Sequence, residues 1–274
     1  MNRFFLPSFR QKQDIVRSVV LGLLIIFPLI GDDYLIAQLT QYLVYGIFAI
    51  GLSLVWGYGG VLCFGHAVFF GLGAYIMALT TKNMIPGIAG LMTASVMAIS
   101  LSVVVVTLFA VVLGYFLFYG RLSGPYLGIV TLAIAVIAER IAVKWYYIGG
   151  YNGLVNVPPL SIAGWEIISI NTLFYVILAI GLGVYLVCDR IVRSPFGTIL
   201  AAVRDNEVRA EFFGYNIARY KIIIFAIGAA VAGLAGALNA VVTEFVSPTM
   251  LGFGLSTEVL IWVALGGKEV LLAS

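Results

Sequence analysis

The stretch LIAQLTQYLVYGIFAIGLSLVW, residues 35–56, contains 22 consecutive residues without an Asp, Glu, Lys or Arg. About 20 such residues cross the hydrocarbon core of a bilayer as a helix, which satisfies its own backbone hydrogen bonds there. The rest of the 274-residue chain has the same character, being 62% hydrophobic and only 10% charged, where soluble domains carry about 25% charged residues. We therefore expect an all-α, polytopic transmembrane helix bundle in the lipid bilayer.

Apolar runs divide the chain into about eight candidate spans. They are residues 15–30, 35–56, 61–80, 88–118, 126–147, 171–187, 222–242 and 255–267. We interpret residues 1–274 as a single transmembrane domain with one hydrophilic loop, 190–221. The first run lacks a small-residue cleavage site, which favours a retained helix over a cleaved signal peptide. The last run has 13 residues, so it is either a partial helix shielded by protein or the end of a truncated chain.

Basic residues predict which side each loop faces, because loops rich in Lys and Arg stay in the cytoplasm. With a cytoplasmic N-terminus and eight spans, 12 of the 15 basic residues fall inside and only Lys82, Arg140 and Lys144 fall outside. The inner set is Arg3, Arg10, Lys12, Arg17, Arg121, Arg190, Arg193, Arg204, Arg209, Arg219, Lys221 and Lys268. This asymmetry places loop 190–221 in the cytoplasm.

The loop segment RSPFGTILAAVRDNEVRAEFFGYNIARYK, residues 193–221, holds eight of the chain's 27 charged residues. Ser194 and Pro195 are typical of a helix start, and Asp205 or Asn206 can cap a second short helix that ends at Gly214. Acidic and basic residues alternate along it, whereas an anionic lipid surface would favour a uniformly basic face. The pattern favours a cytoplasmic protein partner, with a helix lying on lipid headgroups as the alternative.

Motifs for catalysis and metal binding are missing from the sequence. It has no Walker A loop, no HExxH or CxxC pattern and no GxSxG elbow, and its only histidine is His66. Cys63 and Cys188 lie in apolar runs and are interpreted as packing residues. We expect no catalytic residue, no metal site and no nucleic-acid partner.

Polar residues within the apolar runs are candidates for a translocation path, because such residues are costly in a membrane. His66 lies in the glycine-rich segment 56–75, which either packs tightly or breaks to line a cavity. Glu139, Glu244 and Glu258 lie toward the predicted outer ends of their spans. Snorkelling to the interface is the alternative for Glu139, and plain solvation for the other two.

The outer loop GGYNGLVNVPP, residues 149–159, is rich in turn-forming residues. It is either an ordinary turn or a docking site for an external partner, for which Tyr151, Asn152 and Gly153 are the candidates.

Four ordered segments give the chain a resemblance to a known family. They are GYGGVLCFGHAVFFGLGAY, GGYNGL, the loop segment 193–221 and AGLAGALNAVVTEFVSPTMLGFGLSTEVLIWVALGGK, and the resemblance runs from about residue 35 to residue 268. This set resembles the ABC-importer permeases of the high-affinity branched-chain amino acid type, and is similar to their urea-permease branch.

The resemblance implies partners and a role for the loop. The partners are a second related permease, two cytoplasmic ATP-binding subunits that hold ATP and Mg²⁺, and a periplasmic substrate-binding protein. The location is the bacterial inner membrane, with no cofactor in this chain. The coupling element maps to residues 201–216. Its candidate residues are Arg204, Asp205, Asn206, Glu207, Arg209, Gly214, Tyr215 and Asn216.

Two departures from the family pattern stand out. Only Ala210 and Gly214 fit the Glu-Ala-Ala-Gly spacing of the broad importer signature. After LGGK, where family members continue with a Gly-Thr turn and a further helix, this chain reads EVLLAS, which a truncation or a frame change would explain.

Three functions remain open from the residues. The first is an ABC permease for branched-chain amino acids, or for urea and short amides. The second is a secondary transporter or channel. The third is a non-transporting assembly subunit.

Overall fold

A computed structural model describes residues 20, 22–29, 31–85, 95–162 and 165–267. Within these ranges the protein is a helix bundle with four two-residue strands, which confirms the all-α expectation. The helices are α1 Asp33–Ser53, α2 His66–Thr81, α3 Ser95–Tyr119, α4 Gly124–Lys144, α5 Ile170–Arg193, α6 Pro195–Asp205, α7 Glu207–Phe212, α8 Ile217–Thr243 and α9 Phe253–Gly266. A short 3₁₀ turn, Phe27–Leu29, precedes them.

Five segments in the described residues are long and apolar enough to cross a membrane. They are Asp33–Tyr58, Ser95–Tyr119, Gly124–Lys144, Ile170–Arg193 and Ile217–Thr243, while α2 and α9 are shorter apolar helices. These seven match seven of the eight predicted runs. Of the eighth, 15–30, residues 20 and 22–29 are described; 20 and 22–26 are helical and Phe27–Leu29 is the 3₁₀ turn. The basic residues before Ser18 and the C-terminal segment KEVLLAS, residues 268–274, also lie outside the described residues.

Helix boundaries differ from the predicted ones where local chemistry intervenes. α2 begins at His66 and not at residue 61, because a π-helical turn, Leu54–Tyr58, and a non-helical segment separate it from α1. α8 begins five residues earlier than predicted, since the Asn216 side chain caps it by accepting a hydrogen bond from the Arg219 N–H at 3.1 Å. α5 continues to Arg193 beyond its predicted end at residue 187.

The centre of the bundle is α8, which packs against α1, α2 and α3. Glycines permit its close contact with α2. A Cβ on Gly236 would overlap the Phe70 carbonyl oxygen, and one on Gly73 would overlap the Gly233 carbonyl oxygen. Small residues at helix contacts allow the close backbone approach on which membrane helix packing depends.

The two ends of the bundle are chemically different. At one, the strand end, β1 Leu154–Val155 pairs antiparallel with β4 Phe245–Val246, and β2 Ser161–Ile162 pairs with β3 Trp165–Glu166. At the other, the α7 end, α6 and α7 connect α5 to α8. Basic residues predicted to lie inside, where described, are at the α7 end, and Lys82, Arg140 and Lys144 are at the strand end.

Candidate functional site: the α6–α7 surface

α6 starts as its sequence predicts. The Ser194 hydroxyl accepts from the Gly197 N–H at 3.5 Å and donates to the Ile191 carbonyl at 2.6 Å, with Pro195 as first helical residue. Leu200 and Val203 are fully buried on its inner face. Phe196 stacks on Tyr220 of α8 with ring centroids 5.5 Å apart. α6 therefore lies against the bundle as a packed element.

Arg204 anchors the end of α6 to the end of α1. Its Nη1 donates to the Gly57 carbonyl oxygen at 2.5 Å, within the π-helical turn. Its aliphatic stem covers Gly60, where a Cβ would approach the Arg204 Cγ to 2.8 Å. Its contact with Asp205, at 3.4 Å, is long. Arg204, predicted to contact a partner, is thus turned toward its own bundle.

α7 is capped by Asn206, whose side-chain oxygen accepts from the Arg209 N–H at 2.9 Å. Of the two predicted caps, Asp205 and Asn206, the structure selects Asn206. Gly214 follows with φ +85°, a left-handed conformation that suits glycine. Both predicted boundaries of this short helix are confirmed.

A salt bridge connects α7 to α8. Glu207 Oε1 lies 2.7 Å from Lys221 Nζ, and the Lys221 Nζ lies 6.0 Å from the centre of the Phe118 ring. Lys221 is only 7% exposed, so its charge needs this carboxylate. Cavities of about 450 Å³ and about 640 Å³ adjoin the pair, lined also by the α3–α4 turn. A movement of α7 would therefore also displace α8 and this turn.

The outer side of α7 exposes large apolar residues. Phe212 is 87% exposed, Phe213 76% and Val208 63%, while Ala210 is buried. Arg209, Glu211 and Tyr215 are exposed beside them. We name Val208, Arg209, Glu211, Phe212, Phe213 and Tyr215 the α7 face. An exposed apolar patch rimmed by charges is typical of a protein or membrane contact.

His66 does not line an open path. It is fully buried, stacked on Phe48 at 5.5 Å and edge-on to Phe69 at 5.8 Å. Neither ring nitrogen has a hydrogen-bond partner among the described residues.

The non-helical segment before His66 is stabilised by hydroxyl groups of side chains from other helices. The Phe64 N–H donates to Thr131 Oγ1 and the Ala67 N–H to Ser256 Oγ, both at 3.1 Å. Backbone N–H groups that have no partner within a helix thus donate hydrogen bonds to side chains of α4 and α9, as they must inside a membrane. Thr131 and Ser256 were not identified from the sequence, because their partners are far away along the chain.

The three candidate carboxylates lie apart. Glu139 on α4 lies against Gly252, where a Cβ would clash with its carboxylate. Glu244 has φ +52°, accepts the Val157 N–H at 3.0 Å through its carbonyl, and lines a cavity of about 200 Å³ at the strand end. Glu258 is on the exposed face of α9, beside Tyr42 and Trp262. It is level with the middle of α1 and not, as predicted, at the outer end of its span. These residues and His66 do not share one site.

The outer-loop candidates divide into two kinds. Tyr151 and Asn152 are exposed on a 3₁₀ turn, Gly150–Asn152. Gly153 is instead pressed against the strand end, where a Cβ would overlap the Val246 carbonyl oxygen. Only the first two are placed to contact another molecule.

Lys221 was not among the residues predicted for the coupling site. A lysine one residue before an uninterrupted apolar run needs a partner, and Glu207 lies 14 positions upstream.

Within the described residues no group of three His, Cys, Asp or Glu could hold a metal ion.

Residues 34–274 match the family model described as the branched-chain amino acid transport system permease component. The chain belongs to this family. It is 31% identical to the high-affinity branched-chain amino acid transport system permease protein LivM of Escherichia coli K12, over 97% of this chain and 67% of that protein. The match to LivM of Salmonella typhimurium is 30% identical, with the same coverage.

A more distant relative comes from an archaeon. The probable branched-chain amino acid transport permease protein LivM of Methanocaldococcus jannaschii is 29% identical over 77% of this chain and 68% of that protein. No solved structure matches the chain. The predicted resemblance is confirmed, and the protein is a multi-pass membrane permease component.

Proposed function

We propose that this chain is a permease subunit of an ATP-driven importer that moves branched-chain amino acids across the bacterial inner membrane. It has no catalytic role of its own, since ATP and Mg²⁺ are held by two separate cytoplasmic ATP-binding subunits. A second related permease and a periplasmic substrate-binding protein complete the assembly. The N-terminus and the α7 end face the cytoplasm, as the basic residues indicate.

The observation that supports this proposal most is that α7 is bound to the bundle on one side and exposes apolar residues on the other. Its inner side is tied to the bundle by the Glu207–Lys221 salt bridge at 2.7 Å, and its outer side exposes Phe212 and Phe213. Such a helix can bind a partner on one side while it stays attached to transmembrane helices on the other. It then transmits motion in both directions. Hydrolysis elsewhere then biases the bundle through differential binding to its two states.

At the strand end, Tyr151 and Asn152 are proposed to contact the substrate-binding protein. Both project from a turn that β1 and β4 hold in place. Gly153 serves this site only by allowing the turn.

Reconstitution tests the proposal. The chain is assembled with its second permease and the two ATP-binding subunits in proteoliposomes, and uptake of leucine, isoleucine, valine and urea is measured with the binding protein and ATP. We expect ATP-dependent uptake of the three amino acids. Uptake of urea and not of amino acids would show that the substrate is urea or a short amide. Uptake by the chain alone would indicate a channel or secondary transporter.

A second arm replaces residues 208–214 by a flexible linker of the same length, which keeps the Arg204 anchor and the Glu207–Lys221 salt bridge. We expect the bundle to remain folded and ATP-dependent uptake to be lost. Persistent ATP-dependent uptake would contradict the coupling role of α7. A matched control, Tyr146→Ala, alters a residue that is 92% exposed at the opposite end and should leave binding of the ATP-binding subunits unchanged.

A further inference from the structure

Glu258 lies beside the middle of a membrane-spanning helix. It is one turn before Trp262 on α9, and the Trp262 ring lies 5.4 Å from the ring of Tyr45 on α1. Tyr45 is 12 residues after Asp33, the first residue of α1, which is about 18 Å along the helix axis. Since a hydrocarbon core is about 30 Å thick, this carboxylate is placed deep within it.

The surroundings of Glu258 do not neutralise its charge. It is exposed on the outer face of the bundle, and within the described part of the chain it has no ion-pair or hydrogen-bond partner. A carboxylate is too costly to face lipid at this depth, so intramembrane acids line water-filled cavities or pair with another polar group. The face that carries Glu258 is therefore covered by water or protein when the assembly is complete.

Aromatic side chains surround the carboxylate in a shallow cup. The cup measures about 310 Å³ and is lined by Tyr42, Tyr45, Gly46, Ala49, Glu258 and Trp262. None of these six residues is basic. The small Gly46 and Ala49 leave the floor open between the rings.

Two hydroxyls in the cup are oriented by glutamines of α1. Gln38 Nε2 donates to Tyr42 Oη and Gln41 Nε2 donates to Tyr45 Oη, each at 3.1 Å. Because each hydroxyl already accepts one hydrogen bond, its own proton remains free to donate to the carboxylate of an amino acid whose ammonium group lies at Glu258.

These groups together select a type of ligand. Tyrosine and tryptophan faces attract ammonium groups through cation–π contacts at up to about 6 Å, and a carboxylate adds a charge-assisted hydrogen bond. We propose that this cup binds the ammonium group of the transported substrate on its way through the membrane. The proposal rests on the proposed function and deepens it, because it selects an amino acid over a neutral amide such as urea.

The test uses photo-leucine, a diazirine analogue of leucine that keeps the ammonium group, on the complete reconstituted importer. After illumination during transport, labelled peptides are mapped by mass spectrometry. We expect labelling of residues 42–49 and 258–262, competed by leucine. The diazirine analogue of the corresponding carboxylic acid, which lacks the ammonium, should not label them.

Variants then separate binding from structure. Glu258→Gln should lower both labelling and leucine uptake by about tenfold, the factor that corresponds to about 1.4 kcal/mol, with ATP-binding subunits still attached. Glu258→Asp should recover part of this loss. The control Glu166→Gln removes an exposed carboxylate at the strand end and should change neither.

The outcomes are distinct. If the unmodified importer transports leucine but Glu258→Gln labels and transports equally well, the ammonium site is wrong and the proposed function stands. If Glu258→Gln fails to co-purify with its partners, Glu258 is an assembly contact and the ammonium site is likewise wrong. If the unmodified importer transports urea and no amino acid, both proposals fail.

Discussion

α8 and α7 are neighbours joined by one salt bridge, yet they place their apolar residues in opposite ways. α8 is buried through Gly, Ala and Val, including Gly228, Gly233 and Gly236. α7 buries only Ala210 and turns Phe212 outward. In a bilayer large apolar side chains gain nothing by leaving lipid, so close packing of small residues holds the bundle together. Outside the bilayer the same large side chains gain by being covered, as the proposed partner would cover the α7 face.

The largest effect should come from α8. Gly236→Ala places a Cβ against the Phe70 backbone, and a backbone contact cannot move aside as a side chain can. We expect a loss of about 3 kcal/mol in the free energy of unfolding, measured by denaturant titration in detergent. Gly183→Ala on α5, where nothing lies within 4 Å, is the matched control. Equal stabilities would show that glycine packing does not hold α8.

Next in size is the α7 face. Phe212→Ala should weaken binding of the ATP-binding subunits by about 2 kcal/mol, the size of a typical interface hot spot, and leave unfolding of the isolated chain unchanged. Binding is measured by titrating purified ATP-binding subunits onto the chain in nanodiscs. Should affinity for lipid vesicles fall instead, with no change in subunit binding, α7 would be a membrane-surface helix.

The connection between the two helices should have an intermediate effect. Glu207→Lys and Lys221→Glu each replace the salt bridge by two like charges, and each should reduce ATP-driven uptake. The double reversal should restore part of it, with a coupling energy of about 1 kcal/mol from the double-mutant cycle. Strict additivity of the two reversals would mean that this pair carries no coupling.

The smallest effect is expected for an ion pair nearby that faces solvent. Arg193 and Asp189 are 2.8 Å apart, but the Arg193 side chain is 58% exposed. Asp189→Asn should cost about 0.3 kcal/mol, with uptake unchanged. A loss as large as that of the Lys221 variants would show that burial does not distinguish the two pairs.

Local signals in the sequence predicted much of the α7 end correctly. Ser194, Asn206 and Gly214 act within three or four residues of themselves, so their roles follow from short-range hydrogen bonding and backbone conformation. Apolar runs likewise predicted the helices, because spanning length depends only on composition. The break between α1 and α2 was predicted only for residues 57–60. Its extension to His66 was missed, since the Phe64 and Ala67 N–H groups donate to Thr131 and Ser256 in distant helices.

The site residues show the same division. Arg204 was expected to face a partner, and the structure turns it toward Gly57. His66, Glu139, Glu244 and Glu258 were grouped by their rarity in apolar runs, and the structure separates them. The path and coupling roles of these residues stay predictions.

The sequence by itself determined that this chain is a multi-pass helical membrane protein of a transport-permease family, with a charged loop at one end. Those properties follow from hydrophobic length, capping residues and family motifs, all of which are local along the chain. Only the tertiary structure decided that Lys221 pairs with Glu207 and that Glu258 lies among Tyr42, Tyr45 and Trp262. These groupings join helices that are far apart in sequence, and they depend on which small residues let which backbones approach.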